Sequence, residues 1–188
     1  TFTPEELAAR AHESGLSAIA LTDHDTVEGC PRAAAACERL GIEFIPGAEL
    51  TADYRGTELH ILGYFLDMEN TVLLEELARC QVTRQNRVRE MVERINRLKI
   101  PLQAERVFAI ANCQSPGRPH VARALVEEGF CSGMDEAFER FLKRNRPAWV
   151  PKRRISAADA IELIHQAGGL AVMAHPGLNR TDDVIPPA

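Results

Sequence analysis

No apolar run in the 188-residue sequence approaches the roughly 18 residues that a membrane-spanning helix needs, because Lys, Arg, Asp or Glu interrupts every hydrophobic stretch. A spanning helix is excluded within this sequence, and no membrane is expected among its partners. A C-x-x-C pair is also lacking. The five cysteines (Cys30, Cys37, Cys80, Cys113 and Cys131) are odd in number, so neither a disulfide framework nor a zinc ribbon is indicated. Reduced thiols in a cytoplasmic protein are the expectation. Internal repeats and low-complexity tracts are absent, and nothing calls for an obligate protein partner. What remains is 45% hydrophobic and 26% charged, the balance of a soluble globular protein with a real core.

The net charge of -5 is unevenly spread. From Arg79 to Arg154 there are 17 Lys and Arg against 8 Asp and Glu, so this segment is +9 and the remainder is -14. Such a run is usually a solvated helix face. The opposite signs of the two parts also suit a carboxylate-rich, metal-holding body beside a basic segment able to hold an anion.

At the start, Thr3 reads as an N-cap, Pro4 as the first helical residue and Glu6 as the capping-box partner of a helix ending at Gly15. Ala18 to Thr22 is a short β-type run leading into Asp23-His24-Asp25, and Val27 to Leu40 is a second helical pattern closed by Gly41. Glu43 to Pro46 and Thr57 to Tyr64 read as strands, the first followed by Gly47-Ala48-Glu49 and the second carrying His60. From about Asn70 the period changes. Leu74, Leu77, Val88, Met91, Val92, Ile95 and Leu98 form the stripe of long helical sequence. Shorter helices follow over roughly Gln103 to Asn112, Pro119 to Glu128 and Asp135 to Lys143, with breakers at Pro116-Gly117 and Ser132-Gly133. Ser156 then caps a helix to Ala167, and Leu170 to Ala174 is a strand leading to His175-Pro176-Gly177. Strand and helix alternate outside the helical block, which implies an α/β fold with a mostly parallel sheet or barrel and functional side chains at strand ends.

His24, His60 and His175 stand at or near the ends of these strands, and Glu49 joins them after its own. Imidazole nitrogens and a carboxylate together suit zinc, manganese or iron. Each histidine alone reads equally as a hydrogen-bonded structural residue; four placements of the same kind favour a shared cluster. His12 and His165 lie within helical patterns and read as surface or packing residues.

Thr22-Asp23-His24-Asp25, Pro46-Gly47-Ala48-Glu49, Leu59-His60-Ile61-Leu62-Gly63 and Ala174-His175-Pro176-Gly177, in this order, resemble successive motifs of the polymerase and histidinol phosphatase (PHP) superfamily. The helical block, with Gly117-Arg118-Pro119-His120-Val121-Ala122-Arg123 inside it, is similar to the branch that hydrolyses nucleotide phosphates.

The resemblance implies a partial, distorted (β/α)7 PHP barrel formed by 1–68 and 152–188, with an inserted α-helical subdomain at 69–151. It implies two or three divalent ions, manganese first and zinc, iron or magnesium as alternatives, on His24, Glu49, His60 and His175. His24 and His175 are the candidates for direct participation in catalysis. Asp23 and Asp25 would either orient His24 or cap a turn. An H-x-H motif before Thr1 and an Asp-x-His pair after Ala188 are expected beyond the sequence, which reads as truncated at both ends.

For substrate, Arg118 and His120 open a short helix where backbone N-H groups and a guanidinium can grip phosphate, and they match the family's substrate-binding position. Arg84 and Arg87 sit on successive turns of the long helix, where related proteins also carry arginines, though an R-x-x-R pair reads equally as solvated surface. Arg146 matches a family Lys or Arg. Lys152, Arg153 and Arg154 add positive potential without a defined partner. Trp149 reads as apolar packing rather than as a base-stacking platform. The expected activity is metal-dependent phosphoester hydrolysis on 3',5'-bisphosphate nucleotides, or 5'-3' cleavage of short single-stranded RNA. The alternatives are a histidinol-phosphate-type metabolite phosphatase and a metal-poor binding module.

Overall fold

The computed structural model describes residues 2–152 and 154–176; Arg153 and Gly177, both named above, lie outside the described residues. In chain order the elements are α1 (Pro4–Glu13), β1 (Ala18–Leu21), α2 (Cys30–Leu40), β2 (Glu43–Tyr54), β3 (Thr57–Tyr64), α3 (Thr71–Arg97), α4 (Ala104–Ala111), α5 (Arg118–Glu127), α6 (Met134–Ala137, continued by a π-helical turn at Phe138–Leu142), β4 (Ile155–Ser156), α7 (Ala157–Gln166) and β5 (Leu170–Met173). They fall into two compact units, Thr1–Leu77 with Arg154–Ala188, and Ala78–Arg153.

In the first unit, α1 starts as its sequence requires: Glu6 N-H donates to Thr3 Oγ1 at 3.2 Å, and Thr3 N-H donates to Glu6 Oε2 at 2.8 Å. Gly41, at φ 70°, stops α2 in the left-handed conformation that glycine adopts without a Cβ penalty. The helix begins at Cys30 rather than Val27, because Val27 to Cys30 closes a turn instead, with Cys30 N-H on the Val27 carbonyl.

The sheet runs β1-β2-β3-β5, with β4 also on β2. Alternating strand and helix led to an expectation of mostly parallel pairing, and here the sheet is mixed. β1 and β4 lie parallel to β2, whereas β2–β3 and β3–β5 are antiparallel. The cause is a two-residue hairpin at Arg55-Gly56, with φ of 51° and 85°, which lets β2 continue to Tyr54 instead of ending at Pro46. Glu49 and His60 therefore sit inside strands rather than at their ends.

Side chains alternate across these two strands. Ala48, Leu50, Ala52, Leu59 and Ile61 enter a core with Leu73, Leu77, Ile164 and Ala160. Glu49, Thr51, Asp53, Glu58 and His60 share the other face, since directly paired residues of an antiparallel ladder project to the same side. At the start of α3 it is Leu73 that is buried, while Leu74 is exposed, so the apolar stripe begins one position earlier than its spacing suggested.

The second unit has its own core of Val88, Met91, Val92 and Ile95 from α3, with Val107, Val121, Leu125, Phe141 and Leu142. The last expected helix, Asp135 to Lys143, is a single α-turn that widens into the π-helical turn.

Candidate metal centre

Four side chains arrive from three strand ladders. Past the end of β1, His24 forms a parallel bridge with Glu49, fixed by Glu49 N-H on the Asp23 carbonyl and Asp25 N-H on the Glu49 carbonyl, both at 3.0 Å. Asp25, at φ 52° and buried, accepts Thr51 N-H on its carboxylate at 3.1 Å, so it braces this crossing. Burial shifts the Asp23 carboxyl upward. His60 stands in β3. One residue beyond Ala174, whose N-H donates to the His60 carbonyl at 2.8 Å, the chain turns left-handed at His175 (φ 56°). A non-glycine residue in that region is uncommon, and such conformations gather at functional sites.

The ligand-type atoms converge. Glu49 Oε1 lies 2.7 Å from His60 Nδ1 and 3.2 Å from His175 Nε2, and those two nitrogens are 3.0 Å apart. The other oxygen, Oε2, faces His24 Nδ1 at 3.7 Å. The His24 and His175 rings each lie 4.9 Å from the His60 ring, edge to face. One ligand atom from each of His24, Glu49 and His60 can be chosen so that all lie within 4.8 Å of one another. His175 approaches the Glu49–His60 pair without joining that mutual set. Burial pushes the Glu49 carboxyl up, but the hydrogen bond from His60, the charges of His24 and His60 and the bond from His175 outweigh it and hold it at about 2.

These spacings fit a cation. Two donors each about 2.1 Å from one ion and at right angles about it lie about 3.0 Å apart. Glu49 Oε1, His60 Nδ1 and His175 Nε2 are separated by 2.7 to 3.2 Å. Nitrogen and carboxylate donors together suit zinc, manganese or iron.

The first unit also holds a pair that sequence reasoning did not single out. His60 Nε2 lies 3.2 Å from Glu58 Oε1, and Glu58 Oε2 is 2.7 Å from Arg154 NH2. Arg154, read from the sequence as lacking a defined partner, is thus in a bridge to Glu58 and also to Asp53, 3.2 Å from NH1. The signal available was Glu58 two residues before His60 in a strand, hence on its face. His12 and His165 are exposed, as expected.

In the second unit the substrate candidates separate. Arg84 and Arg87 are buried, which removes the reading as solvated surface. Arg87 Nε donates to the Val150 carbonyl at 2.8 Å. Arg84 approaches Gly117, where a built Cβ would stand 3.7 Å from NH1. His120 Nδ1 accepts Gly117 N-H at 3.0 Å. Burial lowers the His120 pKa, as do the charges of Arg123 and Arg84, against the opposing effect of the Gly117 bond. Ser115 Oγ, two residues before Gly117, is buried with no hydrogen-bond partner among the described residues. Arg118 is the first residue of α5 and half-buried. Arg146 is exposed and pairs with Glu139 at 3.4 Å. Trp149 is half-buried, and its carbonyl accepts from Arg94.

Comparison with known proteins places the chain in a family. The chain is 37% identical over 178 residues to the 5'-3' exoribonuclease Rnm of Salmonella typhimurium, covering 94% of this chain and 61% of the relative. It is 34% identical over 179 residues to the 3',5'-nucleoside bisphosphate phosphatase of Chromobacterium violaceum, covering 94% and 62%. A solved amidohydrolase from Chromobacterium violaceum, with bound sulfate and no metal, superposes with a TM-score of 0.86 at 33% identity, over 94% of this chain and 62% of that one. The chain therefore spans about three-fifths of the length of these proteins. The family model described as PHP domain matches residues 1–144, and the chain belongs to that family.

Proposed function

We propose that the complete protein is a metal-dependent phosphoesterase that removes phosphate from 3',5'-bisphosphate nucleotides or releases nucleotides from the 5' end of short RNA. The observation that carries this reading is the meeting of His24, Glu49, His60 and His175 at ligand spacing. The relatives named as an exoribonuclease and a nucleotide phosphatase support the substrate class. We take the ions to be manganese, two or three in number. Glu49 divides its oxygens between His24 on one side and His60 and His175 on the other, which suits a carboxylate shared by two cations. Bound there, a divalent ion supplies Lewis acidity toward a phosphoryl oxygen and a means of activating water near neutral pH.

The chain's own residues supply ligands, orientation and charge. His24 and His175 stand at the exposed flanks of the cluster, where substrate can reach them. Arg84, Arg118 and His120 are assigned to a substrate phosphate; with Nδ1 engaged by Gly117, the His120 nitrogen assigned to it is Nε2. Arg87 and Arg146 are assigned lesser parts, through packing and through long-range potential. The body formed by 1–68 and 152–188 is taken as part of a distorted (β/α)7 barrel, and 69–151 as its helical insertion. A reduced, cytoplasmic setting is taken from the sequence, whose five cysteines are odd in number and include no C-x-x-C pair.

Phosphate release by the full-length, manganese-loaded protein from a nucleoside 3',5'-bisphosphate, a 5'-phosphorylated oligoribonucleotide and histidinol phosphate tests the reading. Turnover of either of the first two, abolished by chelation, is expected. Preference for histidinol phosphate would favour a metabolite phosphatase, and no turnover with any of them would favour a binding module.

A further inference from the structure

Resting on the cation site just proposed, we propose that Glu58, held by Arg154, is a positioning residue that keeps a proton on His60 Nε2 and so presents His60 Nδ1 to the metal. His60 has different neighbours at its two nitrogens. Nδ1 faces Glu49 and His175, the ligand side, and Nε2 faces Glu58 Oε1 at 3.2 Å. An imidazole bound through Nδ1 carries its remaining proton on Nε2, and a carboxylate there fixes both tautomer and ring orientation. β3 makes this local, because residues two apart in a strand project to one face.

Arg154 explains why a second carboxylate can stand so near the cluster. Glu58 is directly opposite Asp53 in the β2–β3 register, and like charges facing each other across a ladder are destabilising. Arg154 reaches them from the residue before β4, placing NH2 on Glu58 at 2.7 Å and NH1 on Asp53 at 3.2 Å. Its Nε is buried with no hydrogen-bond partner among the described residues, so the guanidinium bears a desolvation cost that these two carboxylates help to offset. Both Glu58 oxygens are thereby used, Oε2 by Arg154 and Oε1 by His60. The carboxylate cannot swing into the ligand cluster without giving up the arginine.

The test uses histidine-15N-labelled full-length protein titrated with Zn2+, a diamagnetic probe, and Zn2+ affinity by chelator competition in wild type, E58A, E58Q, R154Q and H60A. The spectra of the zinc-loaded wild type are expected to show His60 with Nε2 protonated and Nδ1 metal-bound. E58A should weaken zinc binding by about 10–100-fold, the usual effect of losing such a partner. E58Q should recover most of this, because its amide oxygen can accept the same N-H, and R154Q should weaken binding in the same direction. Metal on His60 Nε2 in wild type overturns the proposal without needing any variant to fold. Wild-type affinity in E58A alongside lost affinity in H60A overturns it while leaving the cation site standing. Wild-type affinity in H60A overturns both. Wild-type affinity in R154Q overturns the part given to Arg154.

Discussion

Glu49 Oε1 lies 2.7 Å from His60 Nδ1, although the strand register pairs Glu49 with Leu62 and His60 with Thr51. The two meet diagonally on one face of the hairpin, a separation long side chains can span. Among the described residues Glu49 has a contact within 3.7 Å to each of the three histidines, so the cluster depends on it most. E49A should weaken divalent-ion binding by more than the roughly 10–100-fold expected for an outer partner such as Glu58. Chelator competition measures this; an E49A affinity equal to that of E58A would remove Glu49 from the ligand set.

His175 holds a left-handed backbone, and asparagine tolerates that conformation better than most residues. H175N should therefore unfold near the wild-type temperature while metal-dependent phosphate release falls by about tenfold or more. Retained turnover would place His175 outside the site.

Gly47 lies where β2 comes closest to its neighbours. A Cβ there would stand 2.6 Å from the Gly63 carbonyl oxygen, 2.8 Å from Thr22 Cγ2 and 3.2 Å from the Leu21 carbonyl oxygen. Backbone on two sides cannot yield as a flexible side chain can, so G47A should cost about 1–3 kcal/mol. It should also weaken metal binding, because Glu49 is two residues away. Urea unfolding with an unchanged m-value reads the first effect, and a wild-type midpoint would show that the strands part easily.

His120 gives a pH signature. Its pKa is lowered from the ordinary 6.5 by burial and by Arg123 and Arg84. Between those two values the unfolded chain takes up a proton that the folded chain refuses, so stability rises with pH there. The contribution is whole above pH 6.5 and is lost as pH falls through the lowered value. An NMR titration should place His120 below 6.5, and H120N should flatten the corresponding limb of the stability profile. A midpoint at or above 6.5 would contradict its burial among cations.

Local chemistry was the legible part of the sequence. Thr3 and Glu6 announced α1, Gly41 stopped α2, and the four ligand candidates were visible as histidines and a glutamate around short apolar runs. The strand pairing was harder to read, because it turns on Arg55-Gly56, a less familiar hairpin dipeptide than Asn-Gly, and the length of β2 followed from it. The burial of Arg87 was illegible for a different reason: its partner carbonyl, Val150, is 63 residues away. Arg154 likewise finds Glu58 and Asp53 only after β4 joins β2. Glu58 was in plain view, and a period-2 reading through His60 would have placed it on the same face.

The most direct measurement is anomalous X-ray scattering from crystals of the full-length protein grown with Mn2+. A manganese peak within about 2.5 Å of Glu49 Oε1 and of His60 Nδ1 is the expected result. Manganese bound elsewhere, with the Glu49 carboxylate still bonded only to the imidazoles, would contradict a shared cation at this cluster.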